Sequence, residues 1–440
     1  MENITVKFGG SSLADSTQFR KVAAIVKENP LRRYVVVSAP GRRFREDTKV
    51  TDLLYRAHAA VGTDEFDGLM DEIAERFTSI ASELGICVEL GLDEIRKEME
   101  AGAGADYCAS RGEYLSAKLM AGLLDRPFLD AKDYIFFRED GSLDAQHTQA
   151  ALSGALRELP GAVIPGFYGA NPDGSVRTFS RGGSDITGAL VAQASRAVCY
   201  ENWTDVSGIL ETDPRIVPQA RPIQALTYGE LRELAYMGAS VLHEDAIFPV
   251  RSAGIPLRIR NTNDPAAPGT DILKEASQVP APPVTGLAGK RDFSIVHIEK
   301  GQMNETPGFV YHVLEPFCRR GISIEHLPTG IDTISVVVPT EQLRAHRAEV
   351  LYELRESINP DTVMVENDLA LIAVVGRGMI GRKGIAASLF RALADAGVNI
   401  RMIDQGSGEM NIIVGVDAQD YETAIRALYG ALFQSGAERK

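Results

Sequence analysis

The sequence predicts an α/β protein in which a mostly parallel sheet, covered by helices on both faces, precedes two smaller domains. Over about the first 275 residues, short apolar runs bounded by turn residues alternate with helix-like segments, as buried parallel strands do. Beyond that region, one series of apolar patterns occurs twice at an offset of 76 residues. A fixed offset over several elements indicates two copies of one structural unit.

The first part contains strand patterns separated by amphipathic segments. Helices are predicted from Ser16 to Glu28 and from Val50 onward. The turn "NPDG" at 171–174 predicts a hairpin that interrupts the parallel order, and "TYGE" at 227–230 fits a capping box that begins another helix. The predicted strands lie at residues 3–8, 34–39, 161–169, 196–203 and 255–261.

The proline-rich segment "QVPAPPV", residues 278–284, is the predicted linker to the repeated part. Each copy follows the order strand, helix, strand, strand, helix, which predicts a split βαβ sheet with helices on one face. Gly308 and Gly384 stand where the first helix of each copy begins. The matching segments are 294–299 with 370–375, 321–324 with 397–400, and 333–338 with 409–414.

The composition is ordinary for a globular protein, with 45% hydrophobic and 24% charged residues, and a length of 440 residues predicts two or three domains. A net charge of −14 disfavours nucleic acid or an acidic membrane as a partner, so local positive groups must bind any anionic substrate. The four cysteines are scattered, and neither a leader-like start nor a long apolar run is present. We therefore expect a cytoplasmic protein without disulfides, structural zinc or a membrane span.

The segment "GRGMIG", residues 376–381, has the GxGxxG spacing of a dinucleotide-binding turn between a predicted strand and a predicted helix. Two observations argue against a cofactor there. The first copy of the repeat has "GQMNETPG" at the equivalent place, and the chain after Asp404 turns directly into a strand where a Rossmann unit needs a helix. We interpret the segment as a loop of the repeat.

Two glycine-containing segments suit the binding of charged ligands. In "VKFGGSS", residues 6–12, Lys7 ends a strand and precedes two glycines, as in a phosphate-binding turn; a tight turn with a solvated lysine is the alternative. In "SRGGSDITG", Arg181 suits a carboxylate, whereas Asp185 would repel a phosphate. A surface arginine and a helix-capping aspartate are the alternatives.

Two further segments place acidic side chains beside predicted strands or helices. Thr204 and Asp205, in "WTDVSGILETDPR", follow a strand whose carboxyl end suits a nucleotide or Mg²⁺; ordinary turn formation explains the segment equally well. Glu113, in "SRGE", follows a glycine at an expected helix start, where an acid that complements the helix dipole is the alternative.

Taken in order, "KFGGSS", "VSAPG…TKVTDLL", "SRGE", "SRGGSDIT" and "TDVSGI…TDPR" resemble the amino acid kinase superfamily. With the repeat that follows, the chain resembles the monofunctional aspartate kinases with paired ACT domains. The resemblance implies a carbamate kinase-like three-layer αβα sandwich and then two ferredoxin-like βαββαβ domains. The implied limits are 1–277 for the catalytic domain, 285–362 for an effector-binding ACT domain and 363–440 for a second one.

The resemblance implies transfer of the ATP γ-phosphoryl group to the side-chain carboxylate of L-aspartate, with Mg²⁺ as the accompanying ion. The product is 4-phospho-L-aspartate, on the route to lysine, threonine and methionine. A kinase of another acidic amino acid, such as glutamate, and a catalytically impaired amino-acid sensor are the alternatives. Departures from the family at Leu210, Ser240 and Glu244 leave the adenine and ribose contacts open.

Matching the family's positions makes Lys7 and Asp185 the expected catalytic residues, and no metal-ligand residue is assigned. Because free aspartate carries both charges, we expect Arg181 to bind its carboxylate and Asp185, with Glu113, to bind its ammonium. The expected ATP-binding residues are Lys7, Phe8, Gly9, Gly10, Ser11, Ser38, Thr204, Asp205 and Arg215. The expected substrate-binding residues are Thr51, Glu113, Arg181, Gly182, Gly183, Ser184 and Asp185.

The resemblance also implies inhibition by an end-product amino acid at an ACT interface between two chains. Lysine is the favoured effector, with threonine left open; a homodimer is expected, and further pairing of dimers is left open. A turn with a capping threonine is the alternative for the effector loop, and the loop at 41–49 is either a mobile lid or a solvated charge run. The expected effector-binding residues are Met303, Asn304, Glu305, Thr306, Gly308 and Glu325.

Overall fold

The computed structural model describes residues 2–180, 182–239, 244–274 and 281–434. The chain forms two compact units. The first comprises Met1–Ile209, Pro222–Tyr228 and Val241–Val279, and the second comprises Leu210–Arg221, Gly229–Ser240 and Pro280–Lys440. None of the helices within the described ranges is long and apolar enough to cross a membrane.

The first unit is built on a seven-stranded sheet. The unit contains nine strands in its described residues, seven in this sheet and two in a separate hairpin: β1 (Ile4–Phe8), β2 (Arg32–Val37), β3 (Ala162–Pro165), β4 (Tyr168–Ala170), β5 (Val176–Thr178), β6 (Cys199–Thr204), β7 (Ala225–Thr227), β8 (Leu257–Asn261) and β9 (Thr270–Leu273). The sheet has the order β3-β2-β1-β6-β8-β9-β7, and its neighbouring strands are parallel except for β8 and β9. Strands β4 and β5 form a separate antiparallel hairpin.

Helices cover both faces of this sheet. They are α1 (Ser16–Glu28), α2 (Val50–Ala59), α3 (Asp64–Leu84), α4 (Leu92–Glu100), α5 (Ala105–Leu124), α6 (Ala145–Arg157), α7 (Gly183–Ser195) and α9 (Glu244–Ala253). Helix α8 (Tyr228–Tyr236) belongs to the second unit from Gly229 onward. Alternate side chains of β2 enter different cores: Val35 and Val37 pack with α1 to α5, whereas Tyr34 and Val36 pack with α6 and α7. The predicted three-layer αβα sandwich is confirmed.

Several predicted elements of the first unit are confirmed. Helix α1 has the predicted bounds, because the side chain of Asp15 accepts the N–H of Gln18 and caps its start. The "NPDG" turn joins the predicted hairpin. The strand predicted at 161–169 is divided into β3 and β4, because Phe167 adopts a left-handed conformation with a φ of 80°.

The second unit contains one five-stranded antiparallel sheet with the helices of two repeats. Its strands are β10 (Gly286–Glu299), β11 (Thr333–Pro339), β12 (Thr362–Val375), β13 (Ile400–Asp404) and β14 (Asn411–Asp417), in the order β11-β10-β12-β14-β13. Its helices are α10 (Phe309–Cys318), α11 (Thr340–Ile358), α12 (Ile385–Asp395) and α13 (Tyr421–Tyr429). The two ferredoxin-like copies are thus present.

The two copies share one sheet, and they differ at one strand position. The start of β10 packs in the apolar core of the second copy through Leu287, whereas its end packs in the core of the first copy through Val296 and Ile298. Where the second copy has β13, the first copy forms isolated bridges at His326 and Thr329. Pro328 lies between these two residues and has no N–H to donate to a ladder, which accounts for the difference.

Glycines at equivalent positions of the two copies begin equivalent helices. Gly308 is the N-cap of α10 with a φ of 80°, and Gly384 is the N-cap of α12 with a φ of 93°. Both angles lie in the left-handed region that favours glycine. The repeat inferred from the sequence is therefore reproduced in backbone conformation.

Two of the three glycines of "GRGMIG", Gly376 and Gly378, allow close packing within the second unit, whereas a Cβ atom on Gly381 would meet nothing within 4 Å. A Cβ atom on Gly376 would lie 2.8 Å from the carbonyl oxygen of Pro283, and one on Gly378 would meet the carbonyl of Pro282. Between them, the guanidinium of Arg377 lies 3.1 Å from the buried carboxylate of Glu230. The interpretation of this segment as a loop of the repeat is confirmed.

Candidate active site

The carboxyl ends of β1, β2 and β6 lie side by side, because these strands are adjacent and parallel. The N–H of Gly9 donates to the carbonyl of Trp203 at 3.1 Å, and the N–H of Ser38 donates to the carbonyl of Phe8 at 3.2 Å. The turn after β1 is thereby held between the ends of its two neighbours. Open α/β sheets bind their ligands at this edge.

The turns after β1 and β2 approach each other so closely that both contain glycine. The N–H of Gly41 donates to the carbonyl of Gly10 at 2.8 Å. A Cβ atom on Gly10 would lie 2.8 Å from the carbonyl oxygen of Ala39, and one on Gly41 would lie 2.8 Å from the carbonyl carbon of Gly10. These glycines therefore allow two loops of the site to contact each other.

Lys7 and Asp185 form the centre of the site. The Nζ atom of Lys7 lies 2.6 Å from Oδ1 of Asp185, and the two side chains are 10% and 19% exposed. The N-cap of α7 is Gly182, with a φ of 59°, so the alternative that Asp185 caps the helix is wrong. The alternative of a solvated lysine is also wrong, because the Lys7 side chain is buried. A cation suited to phosphate and an anion suited to an ammonium are thus in direct contact.

Gly182, Gly183 and Ser184 begin α7, where the sequence predicts a helix start. A Cβ atom on Gly183 would lie 2.7 Å from the ring of Phe167, so glycine lets α7 begin close to the segment between β3 and β4. Arg181, the expected partner of a substrate carboxylate, lies outside the described residues.

Glu113 is a buried carboxyl group inside α5, and not at a helix start as the sequence suggests. The glycine before it is required inside the helix, because a Cβ atom on Gly112 would lie 2.6 Å from the Cβ of Ala39. Burial raises the pKa of Glu113 to about 8, although a hydrogen bond with the backbone of Ala39 and the charges of Arg111 and Lys7 oppose the rise. Its Oε2 atom is buried without a hydrogen-bond partner.

The other residues predicted to bind aspartate or ATP lie in both units of the chain. Thr51 is the second residue of α2, and the Thr204 hydroxyl at the end of β6 donates to Asp205 at 3.2 Å. Arg215 belongs to the second unit, where its 88% exposed side chain pairs with Asp213 at 2.6 Å. Its nucleotide role remains a prediction.

The loop at 41–49 is exposed at residues 42–46 and at residue 49, and Asp47 fixes it to the first unit. A role as a mobile lid remains a prediction. Asp47 is buried, and its carboxylate accepts hydrogen bonds from the backbone and guanidinium of Arg43 and from the guanidinium of Arg76 in α3. These hydrogen bonds, chiefly those of Arg43, hold the pKa of Asp47 well below its usual value. Phe44, at the centre of the loop, is exposed.

The predicted effector residues lie in the second unit. Met303 is buried in the core of the first repeat, Gly308 begins α10, and the three residues Asn304 to Thr306 are exposed. Burial, then a hydrogen bond with Glu325, raises the pKa of Tyr236 to about 12. The carboxylate expected to meet an effector ammonium thus contacts a tyrosine of α8.

Asn202 also belongs to the site, although the sequence motifs do not single it out. Its Nδ2 atom donates to Oδ1 of Asp185 at 2.8 Å, and it lies opposite Lys7 in the register of β1 and β6. The alternation of side chains along β6 places Asn202 on the face that also carries Thr204. Asn202 could therefore have been found from the sequence by counting two residues back from Thr204 along the predicted strand.

Comparison with known proteins agrees with this architecture. Residues 4–261 match the amino acid kinase family, and residues 372–432 match an ACT domain. Aspartokinase 3 of Bacillus subtilis (strain 168) is 38% identical over 97% of this chain and 98% of its own.

Crystal structures extend the comparison to the fold. Clostridium acetobutylicum aspartate kinase matches with a TM-score of 0.90 at 44% identity, over 98% of this chain and 100% of that one. Escherichia coli aspartokinase III, in complex with aspartate and ADP or with lysine and aspartate, matches with a TM-score of 0.74 at 27% identity, over 98% of this chain and 100% of those.

An αβα kinase unit followed by ACT repeats defines an allosterically regulated kinase of a small molecule. With relatives aligned over nearly its whole length, the chain belongs to the amino acid kinase family and, within it, to the aspartate kinases, ATP-dependent phosphotransferases with a carboxyl group as acceptor.

Proposed function

We propose that the enzyme transfers the γ-phosphoryl group of ATP to the side-chain carboxylate of L-aspartate and forms 4-phospho-L-aspartate, the first step toward lysine, threonine and methionine. The contact of Lys7 with Asp185, 2.6 Å long and beside the glycine turn, carries this proposal. One member of the pair suits a transferred phosphate and the other suits the ammonium of an amino acid.

The substrate is bound as a zwitterion. Asp185 and Glu113 bind its ammonium, and Arg181 binds its α-carboxylate through a planar pair of N–H donors. An N-acetylated substrate would offer no cation to Asp185. The attacking side-chain carboxylate has an ordinary pKa of about 3.9 and is already ionised at neutral pH, so the reaction needs no general base.

Catalysis then consists of positioning and charge neutralisation. Lys7 neutralises charge on the transferred phosphoryl group, and the backbone of Gly9, Gly10 and Ser11 lines the phosphates, with Ser38 beside them. Thr204 and Asp205 extend the nucleotide site along the end of β6. For Arg215, the proposed nucleotide role rests only on its match to the family's motif.

Mg²⁺ would enter with ATP and offset the charge of its phosphates. No cluster of three or more acidic, histidine or cysteine ligands occurs in the described part of the chain. Mg²⁺ keeps several waters and is commonly held by phosphate oxygens with one or two carboxylates. Asp205, which follows β6, would offer one such carboxylate.

Trapping the acyl phosphate tests the reaction. With ATP and Mg²⁺, hydroxylamine should convert the product to a hydroxamate when L-aspartate is present. Equal hydroxamate formation with L-glutamate would instead favour a kinase of another acidic amino acid. No hydroxamate with either substrate would favour a sensor without activity. The Lys7→Met variant supplies the blank for the assay.

We further propose that lysine inhibits the enzyme by binding near Met303, Asn304, Glu305, Thr306 and Gly308, in a homodimer formed through the ACT repeats. A complex of Escherichia coli aspartokinase III with lysine and aspartate, described as the T-state, supports lysine over threonine. Separate and combined titration of lysine and threonine against activity distinguishes the effectors, and insensitivity to both contradicts the proposal. From the scattered cysteines of the sequence, we also propose a cytoplasmic location.

A further inference from the structure

We propose that Asn202 is a positioning residue for Asp185: its side-chain amide fixes one carboxylate oxygen, so that the other oxygen meets the substrate ammonium. The inference rests on the proposed function, because it assigns a purpose to the orientation of Asp185. It concerns a residue outside the motifs that define the family resemblance.

The position of Asn202 follows from the register of the sheet. Strands β1 and β6 are parallel, and Lys7 is paired with Asn202. Side chains alternate along a strand, so Tyr200 and Asn202 share the face that α7 covers. The Asn202 side chain reaches Oδ1 of Asp185 at 2.8 Å, and the Lys7 side chain reaches the same oxygen at 2.6 Å.

Helix α7 is itself held close to this face. The hydroxyl of Tyr200 donates to the backbone carbonyl of Asp185 at 3.2 Å. Gly188, one turn further along α7, lies directly against the Tyr200 ring, where a side chain would collide with it. The backbone of Asp185 is therefore placed by Tyr200, while Asn202 contacts the carboxylate.

The need for a second contact arises when the ligands bind. Without ligands, Lys7 and Asp185 neutralise each other. The phosphates of ATP compete for Lys7, and the substrate ammonium competes for Asp185, so this ion pair must loosen. The amide of Asn202 is neutral and 3% exposed, so its hydrogen bond to Oδ1 is independent of either ligand. Oδ2 is then directed to the substrate.

The test replaces Asn202 by leucine, which has a similar volume and no hydrogen-bonding group. Asn202→Leu should raise the KM for aspartate roughly 10- to 100-fold, the range expected for a lost hydrogen bond to a charged group, and change the KM for ATP by less than about 3-fold. In an Asp185→Asn background the same change should have little further effect, because the carboxylate to be positioned is absent.

Asn3 supplies a matched control at the other end of the same helix. It is also 3% exposed, and its Nδ2 donates at 2.8 Å to the carbonyl of Ser195, the last residue of α7. Asn3→Leu should lower the stability of the first unit and leave the KM for aspartate within about 3-fold of wild type.

The outcomes separate this inference from the proposed function. If wild-type enzyme forms no aspartyl phosphate, the proposed function fails. If wild type is active and Asn202→Leu leaves the aspartate KM unchanged, or raises both KM values equally, the positioning role is overturned. Should leucine prevent folding, Asn202→Ser, which is shorter and still polar, is measured by the same criterion.

Discussion

The guanidinium of Arg76 lies 3.0 Å from the carboxylate of Asp47, and both side chains are buried. The same guanidinium donates to the carbonyl of Gly41 at 2.8 Å and to that of Ala14 at 3.2 Å. Arg76 thus ties the loop after β2 to the end of the turn after β1. An ion pair outside the site helps to hold the two glycine turns together.

We expect Asp47→Asn to destabilise the first unit by about 1–3 kcal/mol, because a buried guanidinium loses its counter-charge. Calorimetric unfolding of the full chain measures the loss. Glu65→Gln is the control, since Glu65 forms an exposed ion pair of the same 3.0 Å length with Arg56 and surface pairs contribute about 0–1 kcal/mol. Equal losses in both variants would contradict a structural role for the buried pair.

The buried carboxylate of Asp47 also makes the stability of the first unit depend on pH in a defined direction. The pKa of Asp47 is lowered in the folded state, chiefly by hydrogen bonds from Arg43. The ionised Asp47 carboxylate therefore contributes fully to the free energy of unfolding above the unfolded-state pKa of about 3.9. That contribution is lost as the pH falls toward the folded-state pKa. The stability difference between wild type and Asp47→Asn should therefore be constant near neutrality and shrink below about pH 4.

Lys7→Met should lower kcat by at least about 100-fold with modest changes in either KM, because the charge acts mainly on the transferred phosphoryl group. Steady-state kinetics with the hydroxamate assay measures this. Lys97→Met, an exposed substitution on α4, is the control and should behave as wild type. A kcat for Lys7→Met close to that of wild type would refute the role of Lys7.

Asp185→Asn should raise the KM for aspartate far more than the KM for ATP, because the amide keeps the shape of the side chain and removes the charge that faces the ammonium. We expect a rise of roughly 10- to 100-fold. Asp173→Asn, in the exposed turn between β4 and β5, controls for the loss of an aspartate. An unchanged aspartate KM would show that another group binds the ammonium.

Glu113 should couple the binding of aspartate to proton release. Because its pKa is raised to about 8, the carboxyl is mostly protonated at pH 7 in the free enzyme. An ammonium beside it favours the ionised form, so binding should release a proton, and the aspartate KM should fall as the pH rises from 6.5 to 8.

Titration calorimetry in buffers of different ionisation enthalpy counts the protons released when aspartate binds. Glu113→Gln, which preserves shape and cannot ionise, should abolish both the proton release and the pH dependence of the aspartate KM. Proton release that persists in this variant would assign the effect to a different group.

Much of the fold follows from local sequence. The strand "YVVV" reads as buried on both faces, and α1 has both an amphipathic period and a capping aspartate at its start. The repeat could be found because the apolar patterns of its strands recur at a fixed offset, and Gly308 and Gly384, at the same offset, share a left-handed conformation. These features are encoded within a few residues of where they act.

The features that could not be predicted depend on distant contacts. Glu113 lies inside α5 because the loop after β2 approaches Gly112, which no local pattern reveals. The contact of Asn202 with Asp185 requires the packing of α7 on β6, and that of Asp47 with Arg76 requires the packing of α3 on a loop. Sequence motifs singled out Lys7 and Asp185, which the structure brings together, but not the neutral side chain of Asn202 beside them.

The glycine motif at 376–381 gives a prediction that separates packing from cofactor binding. Gly376→Ala should destabilise the second unit by about 1–3 kcal/mol, because the added methyl group would lie 2.8 Å from the backbone of Pro283 and Thr285. Gly406→Ala is the matched control, since a Cβ atom there meets nothing within 4 Å. Calorimetry of the full chain measures both.

A dinucleotide fingerprint would instead predict that wild type binds NADH and that Gly376→Ala loses this binding. Fluorescence titration with NADH should detect no binding to either protein, because Gly376 and Gly378 are occupied by contacts with their own chain.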